Sequence, residues 1–353
     1  MVKQSLIFVK PGELRLDEYH KDDEPSETEV LIDVAACGIC GSDLHWHLEG
    51  NIGPWYARKE ASMGHEASGT VIKVGSKVTH LKPGDRVCCE PCEPCWTCDL
   101  CRIGSNNLCH AADSTCAGAD KTGFFRTTNV WPAILCHKLP DNMTLKEGAL
   151  VEPFACCIWA IRRAKLEGNE KILITGSGPI GIICLMIVKA FGASKVCITD
   201  LNEERLSASK NFGADYTLLV DSKQTPQQIA EKVNQIMGGP PDVAIDCTGV
   251  GSCINTGIIG VRRGGKVLLQ GLGSKGVNVD LSTASLRQVD LLGVARYNNT
   301  FPAAIDLISS GRVNAKGLVS HIVSLGDYQQ AFDLLKKGKG MKILLAPKVD
   351  IIQ

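Results

Sequence analysis

The sequence predicts an α/β protein, with a β-rich N-terminal region followed by a doubly wound parallel sheet that carries a dinucleotide site. Three observations carry this expectation. Lys171-Ile172-Leu173-Ile174-Thr175 is an apolar run of the kind that forms a buried parallel strand, and it leads straight into Gly176-Ser177-Gly178-Pro179-Ile180-Gly181, with a helical pattern behind it. A second strand, Val196-Cys197-Ile198-Thr199, ends in Asp200, close to the ~20-residue spacing at which the dinucleotide fingerprint carries its acidic residue. Upstream, Gly and Pro break the chain into short runs rich in β-branched residues.

Taken in order, Leu6-Ile7-Phe8-Val9 reads as a strand stopped by Pro11-Gly12, and Val30-Leu31-Ile32-Asp33-Val34 as a second. Gly69-Thr70-Val71-Ile72-Lys73-Val74-Gly75 alternates like a half-buried strand. Pro83-Gly84-Asp85 is a turn, and Arg86-Val87-Cys88-Cys89 begins another strand. Around Glu147 the pattern changes. Ala155 to Ala164, Ile182 to about Phe191, Glu203–Phe212 and Gln227–Met237 read as helices. Asp242–Cys247 and Lys266–Gln270 read as strands, and a further short strand is expected near Leu291-Leu292-Gly293-Val294. Helices at Pro302–Ser310 and Tyr328–Lys337 and a strand at Lys342–Leu345 close the sequence.

Bulk properties narrow the function. A length of 353 residues suggests two domains. Lys+Arg and Asp+Glu both number 38, so no charge excess asks for nucleic acid or an anionic membrane. The first residues lack the apolar stretch of a signal peptide, and the longest apolar run, Ile182 to Val188, is too short to span a bilayer. With 17 cysteines and no secretion signal, metal ligands and buried thiols are expected before disulfides, in a reducing cytosol.

Two groups of residues suggest metal. Cys95-x2-Cys98-x2-Cys101-x7-Cys109 has the spacing of a closed structural zinc site with four thiolates. Two other readings stand beside it. Cys92-x2-Cys95-x2-Cys98 starts like a ferredoxin run, although the Cys-x3-Cys-Pro that should follow is absent; the alternative is four unmetallated thiols. Cys92 is a spare thiol that blurs the register. The second group centres on Gly64-His65-Glu66, with Cys40 upstream and Glu152 downstream. Thiolate, imidazole and carboxylate together are the ligands of a zinc ion that keeps one position open. Alone, an adjacent His-Glu pair reads as ordinary polar residues.

For the glycine loop, the chemistry is that backbone amides and a helix N-terminus approach a pyrophosphate. The Asp200 carboxylate accepts from both ribose hydroxyls and repels a 2′-phosphate. Arg205, one helical turn on, is a cation that could welcome that phosphate.

These strings together resemble a known family. Cys40-Gly41-Ser42-Asp43-Leu44-His45, Gly64-His65-Glu66, the four-cysteine lobe, Val151-Glu152-Pro153 and the glycine loop occur in the order of the zinc-dependent medium-chain alcohol dehydrogenases, over nearly the whole chain. Cys136-His137-Lys138-Leu139-Pro140-Asp141-Asn142 and Arg296-Tyr297-Asn298-Asn299-Thr300 resemble its polyol branch, which acts on sorbitol, xylitol and L-arabinitol. The resemblance implies a GroES-like catalytic domain over residues 1–154, completed by 296–353, and a Rossmann domain over 155–295. It implies Cys40, His65 and Glu66 as ligands of a catalytic zinc, with Glu152 holding water or substrate and exchanging with Glu66. Cys95, Cys98, Cys101 and Cys109 become a structural zinc site.

Further roles follow from the same likeness. Ser42 and His45, with the cofactor ribose, form a proton relay, and Asp43 orients the ligand histidine. Trp46, Glu152, Arg296 and Tyr297 contact substrate. NAD lies against Gly176, Gly178, Ile180, Gly181, Asp200, Arg205, Gln270, Leu272, Val294 and Arg296. The expected reaction is reversible oxidation of a secondary alcohol of a sugar alcohol, sorbitol to fructose before others, by a cytoplasmic homo-oligomer, tetramer or dimer. Trp46 stands where animal members of the branch have tyrosine, and those members often lack the four-cysteine lobe that this chain keeps. An amino-alcohol dehydrogenase of the threonine type and a non-enzymatic dinucleotide-binding protein on the same fold are the alternatives.

Overall fold

A computed structural model of the chain describes residues 2–20, 24–53, 55–56, 60–118, 121–273 and 276–352. The chain forms two compact units. One contains Met1–Ala155, Asn298–Gly311 and Ala315–Gln353; the other contains Cys156–Tyr297 and Arg312–Asn314.

The first unit is built on a seven-stranded sheet. Its strands run in the order Cys136–Lys138, Arg86–Cys89, Glu66–Val74, Glu29–Gly38, Lys342–Ala346, Val319–Ser324, and Thr128–Pro132 also pairs with Glu29–Gly38. Glu29–Gly38 is therefore the hub. It is long and almost wholly buried, as its Val-Leu-Ile-Asp-Val-Ala-Ala-Cys sequence allows. All pairings are antiparallel except Val319–Ser324 with Lys342–Ala346. A three-stranded sheet of Glu13–Tyr19, Lys3–Lys10 and Ala61–Ser62 lies in the same unit. The core gathers Leu6, Ile32, Met63, Phe124, Phe125 and Trp131, and Trp131 also donates its indole N–H to the Glu90 carbonyl at 2.9 Å.

The second unit is a six-stranded parallel sheet ordered Tyr216–Leu219, Lys195–Asp200, Lys171–Thr175, Val243–Asp246, Lys266–Leu269, Asp290–Gly293. Five helices connect the strands: Pro179–Ala190, Glu203–Asn211, Pro226–Met237, Gly251–Gly260 and Leu281–Leu286. This is the doubly wound order, with the chain reversing direction across the sheet beside Lys171–Thr175. The central strands bury both faces, so their sequences are continuous apolar runs. Pro179 occupies the first turn of its helix, where the missing N–H costs nothing.

Asp246 ends the fourth strand and is buried. Its side chain accepts from the Thr175 hydroxyl at 2.9 Å, the Thr248 hydroxyl at 2.7 Å and the N–H groups of Thr248 and Gly249 at 3.2 and 2.8 Å. Its own carbonyl accepts from Gln270 and Gly271. Two loops at the carboxyl edge are thereby tied together. A Cβ on Gly271 would stand 2.2 Å from Gly249 N, and one on Gly273 2.0 Å from Gly249 O, so the loops approach backbone to backbone.

Replacing Asp246 tests this tie. Asp246→Ala leaves several buried donors unmatched, and each such group costs about 1–3 kcal/mol. The variant is expected to melt at a clearly lower temperature, and Asp246→Asn, which keeps one acceptor oxygen, to lie between it and the parent. Thermal denaturation of the three proteins provides the check.

Candidate metal and dinucleotide sites

In the first unit the Glu29–Gly38 strand hands over to Cys40, the N-cap of helix Gly41–Glu49. Asp43 Oδ2 accepts from the Cys40 N–H at 2.9 Å, closing a capping box. Gly50, with a left-handed φ of 70°, ends the helix, and its N–H donates to the Trp46 carbonyl. Asp43 is buried, and its Oδ1 lies 3.5 Å from His65 Nδ1. One carboxylate thus fixes the start of the Cys40 helix and faces the histidine. A carboxylate on the Nδ1 side keeps the proton there and leaves the Nε2 electron pair available.

The ligand atoms of Cys40, His65 and Glu66 lie within 4.8 Å of one another. This donor set fits an ion with tetrahedral thiolate, imidazole and carboxylate ligation. Burial opposes a positive charge on His65, but the charge of Asp43 and the hydrogen bonds that the ring donates to Asp43 and Cys40 outweigh it and hold the imidazole well above its usual pKa. Metal binding here therefore displaces protons.

Glu66 begins the strand Glu66–Val74 and is buried. Its two oxygens each lie 2.6 Å from Lys342 Nζ, at the head of the strand Lys342–Ala346. Gly38 is paired with Glu66 on one side and with Leu344 on the other. A Cβ on Gly38 would fall 2.0 Å from Glu66 Oε2, so only glycine lets the carboxylate cross this strand to reach the lysine. Burial favours a neutral Lys342, but Glu66, Cys40 and Glu152 more than offset it and raise its pKa, so it is an ammonium. Neither Gly38 nor Lys342 was expected at this site. A lysine before Ile343-Leu344-Leu345 reads as a solvated strand end, and no sequence signal marks it otherwise.

The remaining expected residues fall as follows. Glu152 is half-buried near the start of helix Val151–Ala164, and its oxygens are outside the group formed by Cys40, His65 and Glu66. Ser42, His45 and Trp46 lie on helix Gly41–Glu49, at i, i+3 and i+4, on one face. His45 Nδ1 is 3.1 Å from Glu49 Oε1. Trp46 is half-buried against the hydrophobic core.

Cys95, Cys98, Cys101 and Cys109 also bring their sulfurs within 4.8 Å of one another. The lobe is prepared for thiolates. Backbone N–H groups of Cys95 and Cys98 point at the Cys109 and Cys95 sulfurs, both at 3.3 Å. Hydrogen bonds from the Thr97 backbone and hydroxyl and from the Cys98 amide bring the Cys95 thiol down to about 5, while burial raises Cys101 to about 12. Cys92, the spare thiol of the sequence, is bonded to Cys116 in a disulfide, where metal ligands and buried thiols were expected before disulfides. The reason is local: Cys92 and Cys116 face each other in an antiparallel bridge, fixed by the Ala117 N–H donating to the Pro91 carbonyl at 2.7 Å.

In the second unit, Gly176 has a left-handed φ of 92°, and Gly178 caps helix Pro179–Ala190 with open space where a Cβ would stand. A Cβ on Gly181 would lie 1.9 Å from Gly176 O, so loop and helix pack directly, with Ile180 beside them in the first turn. Asp200 Oδ2 accepts from the Ser177 N–H at 2.7 Å and Oδ1 from the Asn202 N–H at 2.9 Å, placing the carboxylate beside the loop. Arg205 follows in the first turn of helix Glu203–Asn211. Gln270 stands at the carboxyl end of its strand, and its Oε1 is buried with no hydrogen-bond partner among the described residues. Leu272 is exposed and Val294 half-buried. A glycine cradle, a nearby carboxylate and an unmatched amide oxygen fit a dinucleotide. Arg296 and Tyr297 follow the last strand, Asp290–Gly293. Arg296 has a left-handed φ of 54° and Tyr297 is buried. Such backbone in a non-glycine residue is found where the surroundings impose it.

The four-thiol lobe generates a prediction. Cys109→Ser is expected to remove bound metal from the lobe and lower thermal stability, since structural zinc contributes on the order of 10 kcal/mol of binding free energy in isolated fingers. The specific activity of the folded fraction is expected to stay near that of the parent. A variant with full metal content and an unchanged melting temperature would refute it.

Comparison with known proteins agrees with this arrangement. Residues 26–141 match the alcohol dehydrogenase GroES-like domain and residues 179–310 the zinc-binding dehydrogenase domain. Human sorbitol dehydrogenase is 46% identical over 341 residues, covering 97% of this chain and 95% of that protein. Among solved structures, an oxidoreductase/dehydrogenase of Escherichia coli is similar with a TM-score of 0.89 and 33% identity, covering 98% of this chain and 99% of that one. 2R,3R-butanediol dehydrogenase of Bacillus subtilis is similar with a TM-score of 0.88 and 29% identity, covering 98% and 100%. The chain therefore belongs to the zinc-dependent medium-chain dehydrogenases, in the polyol branch that oxidises sugar alcohols with NAD.

Proposed function

We propose that this enzyme reversibly oxidises a secondary hydroxyl of sorbitol to the ketone of fructose, with NAD as hydride acceptor. The reading is carried by the convergence of the Cys40, His65 and Glu66 ligand atoms within 4.8 Å, in a chain so similar to sorbitol dehydrogenases. In it, Cys40, His65 and Glu66 would hold the catalytic zinc, with Glu152 the acceptor for water or substrate and the carboxylate that could stand in for Glu66. Cys95, Cys98, Cys101 and Cys109 hold the structural one. Zinc at the first site supplies a Lewis acid that lowers the pKa of an alcohol.

The other steps belong to the chain. Ser42 takes the hydroxyl proton as it gives up its own towards His45, on the same helix face, which passes a proton outward; the contact of His45 with Glu49 at 3.1 Å supports that direction. The Gly176–Gly181 loop and Asp200 hold the cofactor's pyrophosphate and ribose, and Gln270 offers its buried oxygen as a further acceptor. Arg296, Tyr297 and Trp46 pair with the hydroxyls of the polyol chain. In this reading residues 1–154 and 296–353 make up the catalytic domain and 155–295 the cofactor domain. The enzyme works in the cytoplasm as a homo-oligomer. No helix among the described residues is long and apolar enough to cross a membrane.

The substrate reading is tested with the ratio of kcat/KM for sorbitol to that for 2-propanol. A site that pairs with hydroxyls leaves buried donors unmatched when the substrate lacks them. The parent is expected to favour sorbitol strongly. Arg296→Ala is expected to reduce the ratio by about 10- to 100-fold, the worth of one charged hydrogen bond, with zinc still bound. A ratio unaffected by the substitution would remove Arg296 from the site. A parent preference for xylitol or L-arabinitol would reassign the substrate within the branch.

Cofactor choice is tested at Asp200. The parent is expected to favour NAD over NADP, because a 2′-phosphate would face the carboxylate. Asp200→Ala is expected to shift the ratio of efficiencies towards NADP by at least about tenfold, or ~1.4 kcal/mol. Equal efficiency of the parent with both cofactors would overturn the role of Asp200.

A further inference from the structure

We propose that Lys342 is a positioning residue that sets how tightly the catalytic zinc is held, by competing with the metal for the Glu66 carboxylate. The inference rests on the reading of Cys40, His65 and Glu66 as zinc ligands and goes beyond it.

The geometry is specific. Lys342 and Glu66 are 2% and 1% exposed. The lysine has three N–H donors, and three acceptors surround it: Glu66 Oε1 and Oε2 at 2.6 Å and the Ile39 carbonyl at 3.3 Å. No donor is spare, and burial denies the ammonium a detour into water. Gly38 leaves free the space that a Cβ would take, 2.0 Å from Glu66 Oε2. Ile39 lies between that glycine and Cys40, so the lysine is anchored to the backbone that leads into another ligand.

Two consequences follow. Without metal, the buried carboxylate is neutralised by the ammonium, so the pocket carries no uncompensated charge at this residue. With metal, Glu66 must divide its electron pairs between two cations, and the divalent ion binds close to a like charge where screening by water is weak. Both effects weaken the hold on zinc. An ion pair serving stability alone would leave that hold unchanged.

The test uses zinc-loaded full-length parent, Lys342→Met, Lys342→Gln and Lys342→Arg, with release of zinc to a chromophoric chelator followed at one pH. Zinc in the four-cysteine lobe of the same sample serves as the internal reference. Groups outside the ligand shell change metal affinity by about 10- to 100-fold. Lys342→Met and Lys342→Gln are expected to release the catalytic zinc at least about tenfold more slowly than the parent, by that same principle. Lys342→Arg, which keeps the charge, is expected to remain near the parent. If the methionine variant fails to fold, the glutamine variant, which keeps a hydrogen-bond donor, gives the decision. Release at the parent rate or faster in the neutral variants overturns the proposal. Cys40→Ser separates the two readings. Loss of one zinc there, with unchanged release in the lysine variants, refutes only the role of Lys342. Retention of both zincs refutes the ligand reading, and this proposal with it.

Discussion

A buried carboxylate needs a cation, and in this protein that need shapes the sheet around the metal site. Glu66 and Lys342 are 276 positions apart in sequence and meet across one glycine. The strands that carry them flank Glu29–Gly38, the hub of the seven-stranded sheet. Closing the sheet and neutralising the carboxylate are therefore a single event. Asp43 works in the same way on the other side, with one buried side chain meeting the Cys40 amide and facing His65. Of the three candidate ligands, Cys40 caps a helix while His65 and Glu66 are neighbours at the head of a strand, and charged groups just behind them, Asp43 and Lys342, hold them in place.

The two clusters of metal-ligating side chains differ in how they are prepared. In the cysteine lobe, backbone amides point at sulfur, and the four donors are chemically alike. That suits a closed site whose business is holding a loop together. Around Cys40 the donors are unlike, and the neighbouring groups are charged side chains. Charge makes such a site adjustable, since each neighbour can be weighted against the ion. The disulfide between Cys92 and Cys116 restrains the lobe independently of any metal.

Much of the second unit was legible because its rules are local. An apolar strand, a glycine turn and a helix opened by Pro179 lie next to one another in the sequence, and their order alone implies the sheet. The strand Tyr216–Leu219 escaped notice because it is an edge strand with no buried residue to set a pattern. In the first unit, the helix Gly41–Glu49 was hidden behind a cysteine cap, which offers none of the usual Ser, Thr, Asp or Asn signals. Its residues Cys40, Ser42, His45 and Trp46 were found through the family resemblance and not through periodicity. Lys342 and Gly38 were invisible because their importance lies in pairing across strands, which no local pattern records. Glu152 stands outside the group formed by Cys40, His65 and Glu66.

The interleaving of the first unit also bears on the order in which the polypeptide can mature. Lys342 leaves the ribosome only after every residue of Cys156–Tyr297, so the second unit can fold while the first still lacks an interior strand. Until then Glu66 has no counter-ion, and the Cys37–Gly38 end of the hub strand lacks the partner that Leu344 and Leu345 provide. The nascent first unit is thus a half-built sheet with an exposed hydrogen-bonding edge, the kind of surface that attracts chaperones or neighbouring chains. The last steps of synthesis, and not the first, decide when the metal pocket exists.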